Sequence, residues 1–167
     1  MHIHVTTIYV YTYIFVLAMT LQESIKQNKF KDEHHKLTLN LIYSGGLIQA
    51  EQTRFFKPYD ISSQQYNVLR ILRGQQTKPV SIGLLQERML DQMSNASRLV
   101  EKLKQKALVT RNECKQDRRQ MDVCITKAGL NLLEQIDAKI EAFEKRVTNL
   151  SKAEAKALNE LLDKLNT

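Results

Sequence analysis

The sequence has little of several residue types, and each shortage excludes a class of protein. Its 167 residues contain no tryptophan, two cysteines, two prolines and five glycines. Two cysteines are too few for the disulfide framework of a small secreted domain. So few prolines and glycines argue against long disordered linkers and favour long helices. We therefore expect a mainly helical cytoplasmic domain with reduced thiols.

Acidic residues are also in short supply. Lys and Arg outnumber Asp and Glu by 25 to 18, which gives a formal charge of +7. This balance favours an anionic partner such as nucleic acid or a membrane surface, but it does not determine a fold. The sequence has no Gly-rich phosphate loop, no nucleophile with a nearby His and no metal-spaced cluster, so we expect neither an enzyme nor a cofactor. His34 and His35 are adjacent, which on a helix separates them by about 100° and favours solvated or capping roles over metal binding.

One long uncharged stretch runs from Val5 to Leu21. Its length lies at the lower edge of a membrane-spanning helix, and it lacks the basic start of a signal peptide. Three interpretations remain open: an extension upstream of a translation start at Met19, a dimer-packing segment, or a membrane anchor. We favour the first, so that residues 1–20 are an apolar N-terminal extension and a membrane partner is not expected.

Hydrophobic periodicity from Leu21 onward is typical of helices. The first helical pattern covers Leu21 to Ile42, and Gly45-Gly46 is expected to interrupt it. A shorter helix is expected over residues 47–56.

The middle of the chain contains helix start signals. Ser62 and Gln65 form a capping box, Ser81 is a cap, and Asp91 is expected to cap a helix over residues 92–106. Two short helices joined by a tight turn indicate a helix-turn-helix.

The stretch after this motif, "LVTRNECKQDRRQMDVCIT", predicts two strands around a charged turn. Eight basic and three acidic residues lie between Arg98 and Arg119, so most of the chain's excess charge is concentrated there. An Arg at a hairpin tip can reach a minor groove, and Asp117 beside it can fix the guanidinium geometry. A solvated turn with incidental charge is the alternative, but the preceding basic helix favours DNA.

The two cysteines lie on these strands. A turn centred on Asp117 and Arg118 would place Cys114 opposite Met121 and Cys124 opposite Arg111. The thiols would then not be directly opposed, so we do not expect a redox switch, and Cys124 is equally suited to a small core position.

A long apolar seam characterises the next helix, which Thr126 is expected to cap. Its spacing of 3, 4, 3, 4, 3 resembles a coiled coil and predicts that at least part of it faces a partner helix. The alternative is packing against its own domain. The seam residues are Leu133, Ile136, Ile140, Phe143, Val147 and Leu150. A last helix follows the capping box of Ser151 and Glu154.

Over roughly residues 30–167 the chain resembles the MarR family of transcription regulators. The resemblance is carried by "SNASRLVEKLKQKALVTR", as recognition helix and first strand of the wing, and by "DRRQMDVCITKAG". The wing is the hairpin after the recognition helix. The family's wing signature is matched at five positions: Asp117, Arg119, Ile125, Thr126 and Gly129.

The resemblance implies a mainly α fold with a small β-hairpin wing. A winged helix-turn-helix at residues 62–126 would be flanked by dimerisation helices at 21–58 and 127–167. It also implies a homodimer that binds a palindromic double-stranded DNA operator and usually represses nearby genes.

Residue roles follow from the same resemblance. Base edges in the major groove are expected to face Ser94, Asn95, Ser97 and Arg98. Phosphates are expected to contact Lys102, Lys115 and Arg118, while Arg119 enters the minor groove and Asp117 positions it.

Two further expectations concern departures and effectors. The family commonly has Gly where Ala107 stands, so a left-handed backbone there would cost about 1 kcal/mol. Aromatic residues from Tyr43 to Tyr66 are either core or the lining of a crevice for a small aromatic effector.

The competing function is an interaction or membrane-tethered adaptor, in which Val5 to Leu21 is retained and Arg119 is dispensable.

Overall fold

The computed structural model describes residues 19–75, 78–113 and 121–165. It divides into two compact units, one ending at Ala50 and the other starting at Glu51. The helices are α1 (Leu21–Ile25), α2 (Glu33–Phe56), α3 (Ser63–Gly74), α4 (Ile82–Arg88), α5 (Ala96–Gln105), α6 (Lys127–Thr148) and α7 (Lys152–Asp163). A 3-10 turn covers Lys57–Tyr59, and the strands are β1 (Val80–Ser81), β2 (Val109–Glu113) and β3 (Met121–Ile125).

The first unit contains α1 and the start of α2. The predicted helix over Leu21–Ile42 is broken at Lys26, whose φ of 54° ends α1. The predicted interruption at Gly45-Gly46 is wrong, because α2 runs through both glycines and neither has a positive φ. Each helical Gly costs about 1 kcal/mol relative to Ala, which is too little to end a helix of this length.

His35 has a capping role, which is one of the two roles that the sequence favoured for the histidines. Its Nδ1 accepts a hydrogen bond from the Lys31 N–H at 3.3 Å, while Asp32 accepts one from the His35 N–H at 2.8 Å. None of the helices in the described ranges is both long and apolar enough to cross a membrane. The extension, packing-segment and anchor interpretations concern the stretch from Val5 to Leu21, of which residues 5–18 lie outside those ranges.

The second unit is built around one hydrophobic core to which the end of α2, the helices α3 to α6 and all three strands contribute. The predicted caps are present: Ser62 and Gln65 form the capping box of α3, and the Ser81 hydroxyl accepts a hydrogen bond from the Leu84 N–H at 3.2 Å. The fully buried side chains of this core include Val68, Leu69, Leu72, Val80, Leu85, Val100, Leu103, Val123, Leu133 and Ile136.

The apolar seam of α6 belongs largely to this core. Leu133 and Ile136 are completely buried within the single chain, and Ile140 packs against the same cluster. Phe143 stacks on Phe55 with ring centroids 4.3 Å apart. The prediction of a dimer seam is therefore wrong for Leu133 and Ile136, because their surfaces are already occupied. The seam also ends earlier than expected, since Asn149 terminates α6 with a φ of 49°.

The sheet has three antiparallel strands in the order β1-β3-β2. The sequence predicted only β2 and β3, because β1 has two residues and its Ser81 was assigned to a helix cap. Val80 pairs with Val123, which covers the second edge of β3. Glu113 pairs with Met121. The predicted register, with Cys114 opposite Met121, is therefore wrong by one residue.

Candidate nucleic-acid interface

Helix α5 is the second helix of the helix-turn-helix, and it begins later than the sequence predicted. Its cap is Asn95, whose side-chain oxygen accepts a hydrogen bond from the Arg98 N–H at 2.9 Å. The prediction that Asp91 caps this helix is wrong. Asp91 instead closes a separate turn, in which it accepts hydrogen bonds from the Met93 N–H at 3.0 Å and the Ser94 hydroxyl at 2.6 Å.

The two faces of α5 differ sharply. Ala96, Val100 and Leu103 are buried in the core, and the spacing of 4 and 3 places them on one side. The opposite side is exposed and includes Arg98 and Lys102, one turn apart. This is the arrangement that a helix needs to pack on its own domain and insert its outer face into a groove.

The other predicted contacts of this helix are also near its start. Ser97 is exposed on the flank of α5, and Asn95 is exposed at its cap, whereas Ser94 is half-buried and lies before the helix. Gln105, which the sequence-based prediction did not name, is exposed and lies two turns beyond Arg98 on the same face. Helical spacing from Arg98 and Lys102 was the signal that could have found it.

Basic residues around α5 fall into two groups. Lys106 forms an ion pair with Asp60 at 2.8 Å, and Arg111 forms one with Glu101 at 3.2 Å. These two side chains tie the motif to neighbouring elements. Within the part of the chain that the structure describes, no acidic side chain pairs with the exposed cations of α5, which are Arg98, Lys102 and Lys104.

The base of the wing is held against the end of α5. Ala107 has a φ of 56°, so the left-handed backbone considered from the sequence is present, with Ala in place of the usual Gly. The Thr126 hydroxyl donates to the Ala107 carbonyl at 2.8 Å, and the Thr126 N–H donates to the Leu108 carbonyl at 3.1 Å. Cys114 and the predicted wing contacts Lys115, Asp117, Arg118 and Arg119 lie outside the described residues.

Cys124 is a free, half-buried thiol on β3. It faces Thr110 rather than Arg111, in keeping with the corrected register. Burial raises the pKa of its thiol, and the nearby Asp122 carboxylate adds to the increase. The environment therefore disfavours the reactive thiolate. In the described ranges no group of three or more His, Cys, Asp or Glu is placed to hold a metal ion.

Aromatic side chains of the second unit pack mainly on one another. Phe56 is almost fully buried and lies 4.7 Å from the Tyr66 ring, measured between centroids. Tyr66 is less buried, and its hydroxyl accepts a hydrogen bond from Arg70 at 3.0 Å. This hydrogen bond raises the pKa of Arg70, which stays positively charged at the edge of the cluster.

Comparison with known proteins gives a consistent result. The MarR family model matches residues 59–120. A MarR-like transcription regulator from Bacillus cereus has 27% identity and a TM-score of 0.71, with 80% of this chain and 96% of that one covered. A comparison with curated proteins gives no match.

Two further solved structures share the fold. A cysteine-to-serine mutant of MarR from E. coli, complexed with operator DNA, has 21% identity and a TM-score of 0.72, covering 83% of this chain and 99% of that one. BpsR from Bordetella bronchiseptica, whose DNA binding is regulated by 6-hydroxynicotinic acid, has 22% identity and a TM-score of 0.70, covering 79% of this chain and 99% of that one.

Proposed function

We propose that the chain, which matches the MarR family model over residues 59–120 and shares the winged-helix fold of solved MarR regulators, is a cytoplasmic, homodimeric repressor that binds a palindromic DNA operator. The observation that carries this proposal is the exposed face of α5. There Arg98 and Lys102 project from a helix whose other face is locked into the core. A cationic helix supported in this way fits the major groove of B-DNA.

The roles within the interface follow from position. Asn95, Ser97 and Arg98 lie at the start of α5, so we assign base edges to them. Lys102 lies one turn later and is assigned a phosphate. The wing residues Lys115 and Arg118 are assigned to the DNA backbone, and Arg119 to the minor groove with Asp117 holding its guanidinium.

Exposed apolar side chains support the homodimer. In the first unit they lie on α2 and include Leu37, Leu41 and Ile42. In the second unit a further group lies on α7 and directly after it. This group is between 43% and 59% exposed in a single chain and consists of Leu158, Leu161 and Leu165.

We propose that α7, with Val147 and Leu150, contributes to the dimer contact and that the exposed face of α2 makes a separate contribution. Leu161→Glu should then lower the dimer fraction in sedimentation, because it places a charge in the apolar contact. Lys152→Glu, at the exposed start of α7, should leave the dimer fraction unchanged. An unchanged dimer fraction for Leu161→Glu would remove α7 from the dimer contact.

A small aromatic effector is the finer part of the proposal. The Tyr66 ring and the Arg70 guanidinium together offer a stacking surface and a positive charge, which suits an aromatic carboxylate. A titration of the protein–DNA complex with aromatic acids, read as release of DNA, tests this part. Release from wild type but not from Arg70→Ala would support the assignment, and no release by any acid would contradict it.

DNA binding itself is tested with the full chain, its Arg119→Ala variant and a Lys152→Ala control. The probe is a random duplex library, and the duplexes that it enriches are then measured at two salt concentrations. We expect tight, salt-sensitive binding by wild type and Lys152→Ala, and weaker binding by Arg119→Ala. If no sequence is enriched, the regulator proposal fails and the adaptor alternative replaces it.

A further inference from the structure

Two large apolar side chains project from the turn that leads into α5. Leu90 is 91% exposed and Met93 is 94% exposed, more than any other large apolar residue that the structure describes. A single exposed apolar residue is ordinary on a protein surface. These two differ because the backbone that carries them is fixed by side-chain hydrogen bonds. Residues 89–95 are called the entry turn below.

The first half of the entry turn is hydrogen-bonded to α3 and to α4, the two helices that precede it. The Leu90 N–H donates to the side-chain oxygen of Asn67 on α3 at 3.0 Å. The Gln92 side-chain amide donates to the Met89 carbonyl at 2.8 Å. Gln86 on α4 donates in turn to the Gln92 carbonyl at 3.0 Å.

The second half is fixed in the same manner. Asp91 accepts hydrogen bonds from the Met93 N–H and the Ser94 hydroxyl, and Gln86 accepts one from the Ala96 N–H at 3.1 Å. The backbone at Met93 is therefore ordered before any ligand arrives. A contact made there does not have to order the loop, which lowers the entropic cost of binding.

The position of Met93 at the N-terminal end of α5 indicates which part of the DNA its side chain contacts. It lies two residues before Asn95, the cap of α5, and therefore at the end of the helix that is assigned to base edges. In the major groove, thymine is the base that presents a methyl group, and apolar side chains recognise it. The flexible, polarizable Met side chain suits such a contact.

We propose that Met93 contacts the 5-methyl group of a thymine in each operator half-site, so that the entry turn adds to sequence reading. The inference rests on the proposed function. A protein partner fits the surroundings less well, because two side chains cover far less than the roughly 800 Å² per partner that a standard protein–protein interface buries. The exposed cations Arg98 and Lys102 on the adjoining helix favour a polyanion.

Replacement of thymine by uracil tests the contact, because uracil pairs identically and lacks only the methyl group. The full chain is measured on its library-enriched duplex, with each thymine replaced in turn. We expect at least one position at which uracil weakens wild-type binding about fourfold, the factor given by burying one methylene-sized group. Met93→Ala should bind the thymine and uracil duplexes equally at that position.

Two variants serve as controls. Met93→Leu keeps an apolar side chain and should keep the methyl dependence. Leu90→Ala removes an equally exposed side chain farther from the helix cap and should also keep it. The inference is overturned if no thymine shows the effect, if Met93→Ala retains it, or if Leu90→Ala abolishes it. Failure to enrich any duplex overturns the proposed function and this inference with it, whereas enrichment without methyl dependence overturns the inference alone.

Discussion

The side-chain oxygen of Asn95 accepts a hydrogen bond from the Arg98 N–H at 2.9 Å, so one residue both starts α5 and stands at its proposed DNA-binding end. These two roles can be separated. Asn95→Ala removes the capping oxygen and should lower the free energy of unfolding by about 1 kcal/mol, measured by urea denaturation.

Asn95→Asp provides the matched comparison. A carboxylate keeps the capping oxygen and is favoured at a helix N-terminus, so stability should be retained. DNA binding should nevertheless be strongly reduced, because the amide donor is removed and a negative charge faces the phosphates. Equal DNA affinities for wild type and Asn95→Asp would show that Asn95 acts as a cap alone.

Salt dependence distinguishes the cations of α5. Lys102→Ala should lower the slope of log affinity against log salt concentration by about 0.9 per protomer for each phosphate that Lys102 neutralises, and weaken binding to all duplexes similarly. Arg98→Ala should in addition reduce the difference in affinity between the enriched duplex and a random one. Lys152→Ala, which removes an exposed charge far along the sequence on α7, should change neither quantity. An unchanged slope for Lys102→Ala would remove it from the interface.

Local signals predicted much of the fold correctly. Capping boxes at Ser62 and Ser151 are complete within four residues, so neighbouring sequence suffices to find them. The start of α5 could not be found in this way, because Asp91 and Asn95 are both good caps. The choice depends on tertiary contacts, notably the hydrogen bond from the Ala96 N–H to the Gln86 side chain.

Long-range packing explains the other differences. The predicted strand register was wrong by one residue because the turn sequence alone does not fix the register of a hairpin. In the folded sheet β3 also pairs with β1, where Val80 lies opposite Val123, and this contact was not predicted. The α6 seam resembled an interface because periodicity shows that a face is apolar without showing what covers it. Leu133 and Ile136 are covered by the chain's own core. Met93 carried no periodic signal, and its exposure emerges only with the fold.

Ala107 offers a stabilising substitution. Its φ of 56° is strained for any residue with a Cβ, and Gly removes that strain. Ala107→Gly should raise the free energy of unfolding by up to about 1 kcal/mol after the entropic cost of Gly is included. Ala142→Gly, inside the ordinary helix α6, should lower it by about 1 kcal/mol. A decrease in stability for Ala107→Gly in urea denaturation would contradict the left-handed assignment.

Gly129 occupies the opposite situation, because it has no room for a side chain. A Cβ there would collide with the backbone carbonyl oxygen of Leu108 and would lie 2.8 Å from Cγ1 of Ile125. Gly129→Ala should therefore lower the free energy of unfolding by about 2 kcal/mol or more. It should also disturb the wing base, since the Leu108 carbonyl accepts a hydrogen bond from the Thr126 N–H.

The control for Gly129 is Gly45, which is helical and has no atom within 4 Å of an added Cβ. Gly45→Ala should raise the free energy of unfolding by up to about 1 kcal/mol through helix propensity. The same substitution thus has opposite signs at two helical positions. If both variants were stabilised, the close approach of α6 to the Leu108 carbonyl would be refuted.

Cys124 should be a slow thiol at neutral pH. Burial raises its pKa above the ordinary value of 9.0, so the thiolate becomes appreciable only in more alkaline solution. In a Cys114→Ser background, labelling of Cys124 by a disulfide reagent should be slower than labelling of a free small thiol at pH 7 and should accelerate as the pH rises, because the thiolate fraction increases. The raised pKa also makes stability depend on pH. The stabilisation that comes from the protonated Cys124 thiol is fully present below the unfolded-state pKa and is lost as the pH rises through the folded-state pKa. DNA binding by this variant should survive mild peroxide treatment. Rapid labelling at neutral pH, together with peroxide-induced release of DNA, would instead establish Cys124 as a redox switch.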